Sequence, residues 1–295
     1  MSKLLKFFLI CAIVFCVGLG FTIGGVCADG VEGINKVADN HNWLDGSPGK
    51  MQIEKMKGQE FDSVEVTGMV ETVFVGTEYM TTDSDWPLPD CLASTIKENI
   101  PEQGTVLICH GENIEAPDYT VEEGVLKIKG GSADGGVISM NFTFDDGVPK
   151  AIIFCGDKRL KNITVSNNFC DVTLLGVAYE NASISCSNND VFMECVKSGN
   201  LVIDGDATDV GLHGDFYGIT NITTKNSDVE IETCENRAEY AMDIFAENGD
   251  IELDNGEVEI DEYPWKYSCE GGPNKIVVKN SLGDVKVYFG DTLYQ

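Results

Sequence analysis

Ile163-Thr-Val165-Ser-Asn-Asn-Phe-Cys-Asp171-Val172-Thr-Leu174 is followed nineteen residues later by Ala182-Ser-Ile184-Ser-Cys-Ser-Asn-Asn-Asp190-Val191-Phe-Met193. The phrase recurs around Asp209, Asp228, Asp250 and Asp284, with the first three intervals fixed at 19 residues and the last two lengthened to 22 and 34. In each copy the positions eight and six before the aspartate, and one and three after it, are apolar. This holds for 23 of the 24 slots, against roughly 10 expected from a chain that is 43% hydrophobic. Side chains alternate along a strand with period two, so the first two slots share a face of one strand and the last two a face of the next. The residues between them, such as Asn167-Asn168-Phe169-Cys170 and Ala246-Glu247-Asn248-Gly249, suit a tight corner. Each copy reads strand, corner, strand.

One copy has too few residues to bury its own apolar face, so copies must stack, with equivalent strands about 4.8 Å apart in parallel ladders. The fixed period predicts an all-β chain, a single-stranded β-solenoid (right-handed parallel β-helix-like) with coils of about 19 residues. An antiparallel sandwich or meander would also show alternating strands between turns, but it has no need of a constant interval.

Leu160-Lys-Asn-Ile-Thr-Val-Ser-Asn-Asn-Phe-Cys-Asp-Val-Thr-Leu174, Asp243-Ile-Phe-Ala-Glu-Asn-Gly-Asp-Ile-Glu-Leu253 and Lys275-Ile-Val-Val-Lys-Asn-Ser-Leu-Gly-Asp-Val-Lys-Val287 resemble the bacterial putative-adhesin families of unknown function. The resemblance spans Phe61 to Gly290 and implies a β-solenoid domain of a secreted or envelope protein, with no catalytic residue to carry over. The family phrase ends a strand in a Gly-Asp-Val/Ile corner. Gly249-Asp250-Ile251 and Gly283-Asp284-Val285 keep the glycine, while Cys170, Asn189, Thr208 and Ser227 replace it elsewhere.

Residues 1–28 read as a signal peptide preceding the solenoid: Lys3 and Lys6 form a basic start, Phe7 to Gly25 is apolar, and Val26-Cys27-Ala28 resembles a cleavage site. The same run is long enough to act, uncleaved, as a membrane anchor. Cys27 gives only a weak lipoprotein signal, because Val26 stands where a small residue is wanted. In each case the rest of the chain is expected to be secreted or at the cell surface of a bacterial envelope, with the N-terminal segment available for envelope association. Residues 29–60 form a polar, glycine-bearing spacer with room for a short helical turn near Met51 to Lys57. Residues 61–295 are expected to form one adhesin-like domain. Val64, Val66, Val73 and Val75 fit the four slots of a degenerate first coil, with Thr72 in the aspartate's place. Thr105 to Cys109, Tyr119 to Val121, Val125 to Lys129 and Ala151 to Cys155 read as further strands.

The chain carries 20 basic and 49 acidic residues, a net charge of −29; without the two leader lysines the balance is −31. Such a surface repels phosphate backbones and excludes nucleic acid as a partner. A lyase handling acidic sugars needs basic residues in a groove, and Lys158, Arg159 and Lys161 are the only cluster. Acids on outward strand positions, such as Glu230, Glu232, Glu252, Glu257 and Glu259, keep a parallel ladder hydrated.

Insertions into a regular scaffold are where function concentrates. The long interval before Asp284 holds Tyr263, Trp265 and Tyr267, which share one face at strand spacing. A second insertion, Thr77 to Asn99, holds Tyr79 and Trp86. These five rings are candidate ligand contacts, able to stack on sugars or anchor a protein partner; the alternative is that they cap the ends of the core. Asp204, Asp206 and Asp209 gather in one corner and are a candidate calcium site, although short aspartates also bond to corner backbone. The same backbone role is expected of the whole aspartate column, and no other cofactor is indicated.

Eight of the 11 cysteines lie beyond the leader. An even count in an exported chain suggests disulfides, but Cys195 and Cys234 stand two coils apart, about 10 Å, too far to bridge. Most of the eight read as buried free thiols. His41, His110 and His213 are scattered and form no catalytic constellation. Asn141, Asn162, Asn181 and Asn221 begin Asn-x-Ser/Thr sequences, which matter only in a host that glycosylates. The expected function is that of an exported, non-enzymatic, adhesin-like surface protein binding an extracellular glycan or protein through solenoid flanks and aromatic insertions. A structural or envelope-sensing solenoid without a dedicated ligand is the alternative. Third comes a β-helix glycosidase or polysaccharide lyase, since 49 acids leave room for a catalytic carboxylate pair.

Overall fold

The computed structural model describes residues 51–77, 103–111, 116–130, 149–167, 170–254, 258–260 and 265–290. The leader, the spacer up to residue 50, Tyr79, Trp86, Tyr263, Cys91 and Asn141 lie outside the described residues. The chain is all-β and β-solenoid-like. Its strands, numbered β1 to β21 in chain order, fall into two long sheets of eleven and ten strands.

Four consecutive coils make the regular middle. They are β8 (Leu160–Ser166) with β9 (Asp171–Leu175), β10 (Tyr179–Ser187) with β11 (Val191–Ser198), β12 (Asn200–Asp206) with β13 (Val210–Phe216), and β14 (Ile219–Lys225) with β15 (Val229–Thr233). The first strand of each coil joins the ten-stranded sheet and the second the eleven-stranded sheet. Pairing is parallel and follows the sequence repeat: Ile163 faces Ala182, which faces Leu201, which faces Thr220. In the other sheet Val172, Val191, Val210 and Val229 form a row. These apolar slots are almost fully buried between the sheets, each such side chain contributing roughly 1.5–3 kcal/mol.

Beyond the middle the coils leave sequence order. The next layer after β14 and β15 is the last pair in the chain, β20 (Asn274–Asn280) and β21 (Val285–Phe289). Outside it stand the earlier β16 (Tyr240–Ala246) and β17 (Ile251–Leu253). The Asp284 coil thus lies between the Asp228 and Asp250 coils, whereas stacking of each copy on its sequence neighbour was the expectation. The 34-residue interval explains the exchange: it gives the chain length to run outward by one layer, turn and come back.

The other end mirrors this. The degenerate first coil, β2 (Ser63–Thr67) and β3 (Thr72–Gly76), stacks directly on β8 and β9, with Thr72 opposite Asp171. The later strands β6 (Val125–Lys129) and β7 (Lys150–Phe154) lie outside it.

Antiparallel strands close both ends. β5 (Asp118–Glu122) pairs with β6 and β4 (Thr105–Gly111) with β7. β19 (Trp265–Cys269) covers β16, and β18 (Val258–Ile260) covers β17. Residues Met51 to Met56, where a helical turn was allowed for, are instead strand β1, antiparallel on β4. An open sheet edge offers a row of unpaired backbone groups, and an extended segment satisfies them where one helical turn would not.

Glycine is required where corners of adjacent layers touch. Gly283 has φ +111°, and a Cβ there would stand 2.1 Å from the Ser227 carbonyl oxygen. A Cβ on Gly249 would stand 1.9 Å from the carbonyl oxygen of Gly283. The two Gly-Asp corners of the repeat are therefore neighbours in space, stacked one on the other.

Candidate functional site

The aspartate column runs along one corner of the stack, and its carboxylates bond to the next layer. The Asp190 N–H donates to Asp171 Oδ1 (3.1 Å), Asp228 N–H to Asp209 Oδ1 (2.8 Å), Asp284 N–H to Asp228 Oδ1 (2.8 Å) and Asp250 N–H to Asp284 Oδ1 (3.0 Å). A charged acceptor makes these stronger than neutral bonds. Like charges one layer apart are the cost. Burial, and then the charges of Asp171 and Asp209, raise the Asp190 carboxyl pKa.

Asp209 takes this backbone role through Oδ1. Asp204 and Asp206 are exposed on β12. Among the described residues, a different group brings its ligand atoms within 4.8 Å of one another: His213, Glu230 and Glu232.

Trp265 and Tyr267 do share one face of β19, opposite Ala246 and Ile244. That face turns toward the core, against which both rings pack half-buried. Tyr267 is held further by Arg237, which lies over its ring at 5.4 Å from the centroid, hydrogen-bonds its hydroxyl and makes a 2.5 Å ion pair with Asp254. These two rings cover the end of the stack.

The basic cluster lies on the surface, each side chain bonded to a neighbouring segment. Lys161 pairs with Asp62 at 2.6 Å, Lys158 donates to the Phe61 carbonyl at 2.7 Å and Arg159 to the Tyr179 carbonyl at 3.3 Å. The seven described cysteines are free thiols, four of them buried. Burial pushes Cys155 and Cys186 up to about 11 and Cys170 to about 12, so these three are packing groups and not nucleophiles.

The outward positions of β8, β10, β12 and β14 form a surface that sequence reasoning did not single out. One row runs Asn162, Asn181, Asn200, Ile219; the next Thr164, Ser183, Val202, Asn221; the third Ser166, Ser185, Asp204, Thr223. Of these twelve only Asp204 is charged, on a chain of net charge −29, and the next row, Ser187, Asp206 and Lys225, adds one acid and one base. The asparagines form a ladder: Asn200 Nδ2 donates to Asn181 Oδ1 (3.1 Å), Asn181 Nδ2 to Asn162 Oδ1 (3.3 Å), and the Ile219 N–H to Asn200 Oδ1 (3.2 Å). Val202 and Ile219, 44% and 52% exposed, give it an apolar centre. The signal was in the sequence as a column nine residues before each aspartate, visible there only as glycosylation-type motifs.

The Toastrack DUF4097 family description matches residues 95–288, well over half of the chain. The chain belongs to the Toastrack DUF4097 family. Similar solved structures of the Toastrack protein include a putative cell adhesion protein from Clostridium sporogenes, 13% identical over 81% of this chain and 99% of that one, with a TM-score of 0.39. A putative adhesin from Bacteroides fragilis is 12% identical over 81% and 97%, with a TM-score of 0.40. A putative lipid binding protein from Parabacteroides distasonis is 12% identical over 81% and 97%, with a TM-score of 0.32. No curated protein matches the chain significantly.

Proposed function

We propose that this Toastrack protein is exported and acts at the bacterial surface as a non-enzymatic, adhesin-like binding protein. The flank of β8, β10, β12 and β14 is its ligand face, and an uncharged extracellular glycan is the favoured ligand, ahead of a protein. One observation carries the reading: a twelve-position array of amides, hydroxyls and two aliphatic side chains bears a single charge, bordered in the next row by Asp206 and Lys225, on an otherwise strongly acidic chain. Amides and hydroxyls both donate and accept, as sugar hydroxyls do, and their repeat at about 4.8 Å per strand matches an extended ligand better than a small one. Export is supported by the leader-like residues 1–28. The pairing of the basic cluster with neighbouring segments speaks against a groove for acidic sugars.

The test is binding of the purified protein to a panel of glycans and matrix proteins, beside Ser183→Glu and Val202→Glu. The expected result is a saturable ligand lost in both variants while their circular dichroism is unchanged. Silence across the panel would move the protein to the structural or envelope-sensing class. Binding that survives both substitutions would remove this flank and turn attention to Tyr79, Trp86 and Tyr263.

A further inference from the structure

On the opposite sheet, β13 and β15 bring three ligand-type side chains together on the outward face. His213 is in register with Glu232, and Gly211 with Glu230. His213 Nδ1 lies 3.7 Å from Glu232 Oε2, with side-chain exposures of 35% and 15%. One ligand atom from each of His213, Glu230 and Glu232 lies within 4.8 Å of the others. Zinc bonds of about 2.0–2.2 Å set tetrahedral ligand atoms roughly 3.3–3.6 Å apart, so closing the set requires side-chain movement of about 1 Å.

The surroundings orient the imidazole. In β11 the register slips between Met193 and Val196, so that Glu194 and Cys195 both oppose His213. Such a bulge re-aims the side chain beside it. The Phe192 ring contacts the imidazole edge-on, with centroids 5.4 Å apart and planes at 66°. It also reaches over Gly211, where a Cβ would stand 3.2 Å from it. The cross-strand neighbour of Glu230 on β13 thus projects no side chain.

Glu230 and Glu232 lie side by side and half-buried, close enough to hydrogen-bond, an arrangement that a shared proton or a cation relieves. Lys127, Lys150 and Lys161 are ion-paired elsewhere. Lys286, in register with Glu230 on β21, is not one of them.

We infer that His213, Glu230 and Glu232 bind one first-row divalent transition metal ion, of which zinc is the reference. An imidazole with two carboxylates suits such ions, whereas calcium and magnesium take oxygen ligands. Three protein ligands leave an open position for water. The strongly negative chain concentrates cations around it, which favours occupancy and also requires a competition control. The site is independent of the neutral flank, which belongs to the other sheet.

The experiment is zinc titration of the tag-free, full-length protein by calorimetry in excess calcium, which occupies unspecific carboxylates. Cobalt absorption reports the ligand geometry. One zinc per chain is expected. Loss of an outer-sphere partner already weakens metal sites roughly 10–100-fold, so His213→Ala and Glu232→Gln should weaken binding by more than about 100-fold. Asp204→Asn should change nothing. If His213→Ala fails to fold, Glu230→Gln, which keeps the side chain's size, decides the matter. No saturable zinc equivalent in the wild type, or equal affinity in His213→Ala or Glu230→Gln, overturns the assignment.

Discussion

On β8, β10, β12 and β14 the outward positions hold mostly amides and hydroxyls, with two aliphatic groups and the charges of Asp204, Asp206 and Lys225, whereas on β11, β13, β15 and β21 they hold Phe192, Glu194, His213, Glu230, Glu232, Lys286 and Tyr288. The two faces share the same coils and the same buried slots. The difference teaches that the inward columns specify the stack, and that each outward column can then vary without disturbing it. Even the two hydrogen-bonded ladders divide this way. The asparagine ladder carries no charge, and the aspartate column carries one in each of the six copies of the repeat.

The largest effect should separate inward from outward. Ile222→Ala removes a fully buried side chain and should cost about 2–5 kcal/mol in denaturant unfolding. Thr223→Ala, one residue on and exposed, should change stability by no more than about 0.5 kcal/mol. A comparable loss from Thr223→Ala would mean that the neutral face holds the fold together, and the comparison would break.

The two ladders sharpen it further. Asn200→Asp removes the donor to Asn181 Oδ1 and brings a charge into the neutral row, and should cost about 1 kcal/mol. Asp209→Asn retains an acceptor for the Asp228 N–H and should cost less than about 0.5 kcal/mol in the same assay.

The smallest effect is on the charged column. The Asp190 carboxyl is raised above its ordinary value by burial and by Asp171 and Asp209. A carboxyl raised in the folded state contributes stability that is complete below the unfolded pKa, about 3.9, and is lost as pH rises through the folded one. At neutral pH the wild type thus carries a penalty that Asp190→Asn lacks. The variant should be more stable by about 0.5 kcal/mol at most, since the group is largely solvated. The advantage should vanish as pH falls toward about 4 and shrink in high salt. Melting at two pH values checks it.

Much of the stack was legible because two periods coincide. Alternation marks Val172 and Leu174 as inward, and the 19-residue interval carries that mark to Val191 and Met193, then to Val210 and Leu212. The order of the coils was not legible. Every copy offers the same apolar slots, so Ile231 could as well have faced Leu253 as Val287, its actual partner. The histidine site was missed for a related reason. His213 and Glu232 are 19 residues apart, in the column four after the aspartates, but polar columns follow no composition rule and stand out only once neighbouring strands are known. Trp265 and Tyr267 were legible as sharing a face, though sequence spacing could not say that the face turns inward.

The exchanged order of the last coils governs when the fold can close. β20 and β21 are the final strands to be made, yet they are the layer on which β16 and β17 rest. A chain emerging from its N-terminus can stack no further than β15 in its final arrangement; everything from residue 240 onward must wait for residues 274–289. Folding of this end is therefore coupled to the arrival of residues 274–289, and its long-range pairings are slow by nature. The segment works as a latch, keeping the layers from residue 240 onward open until β20 and β21 have arrived.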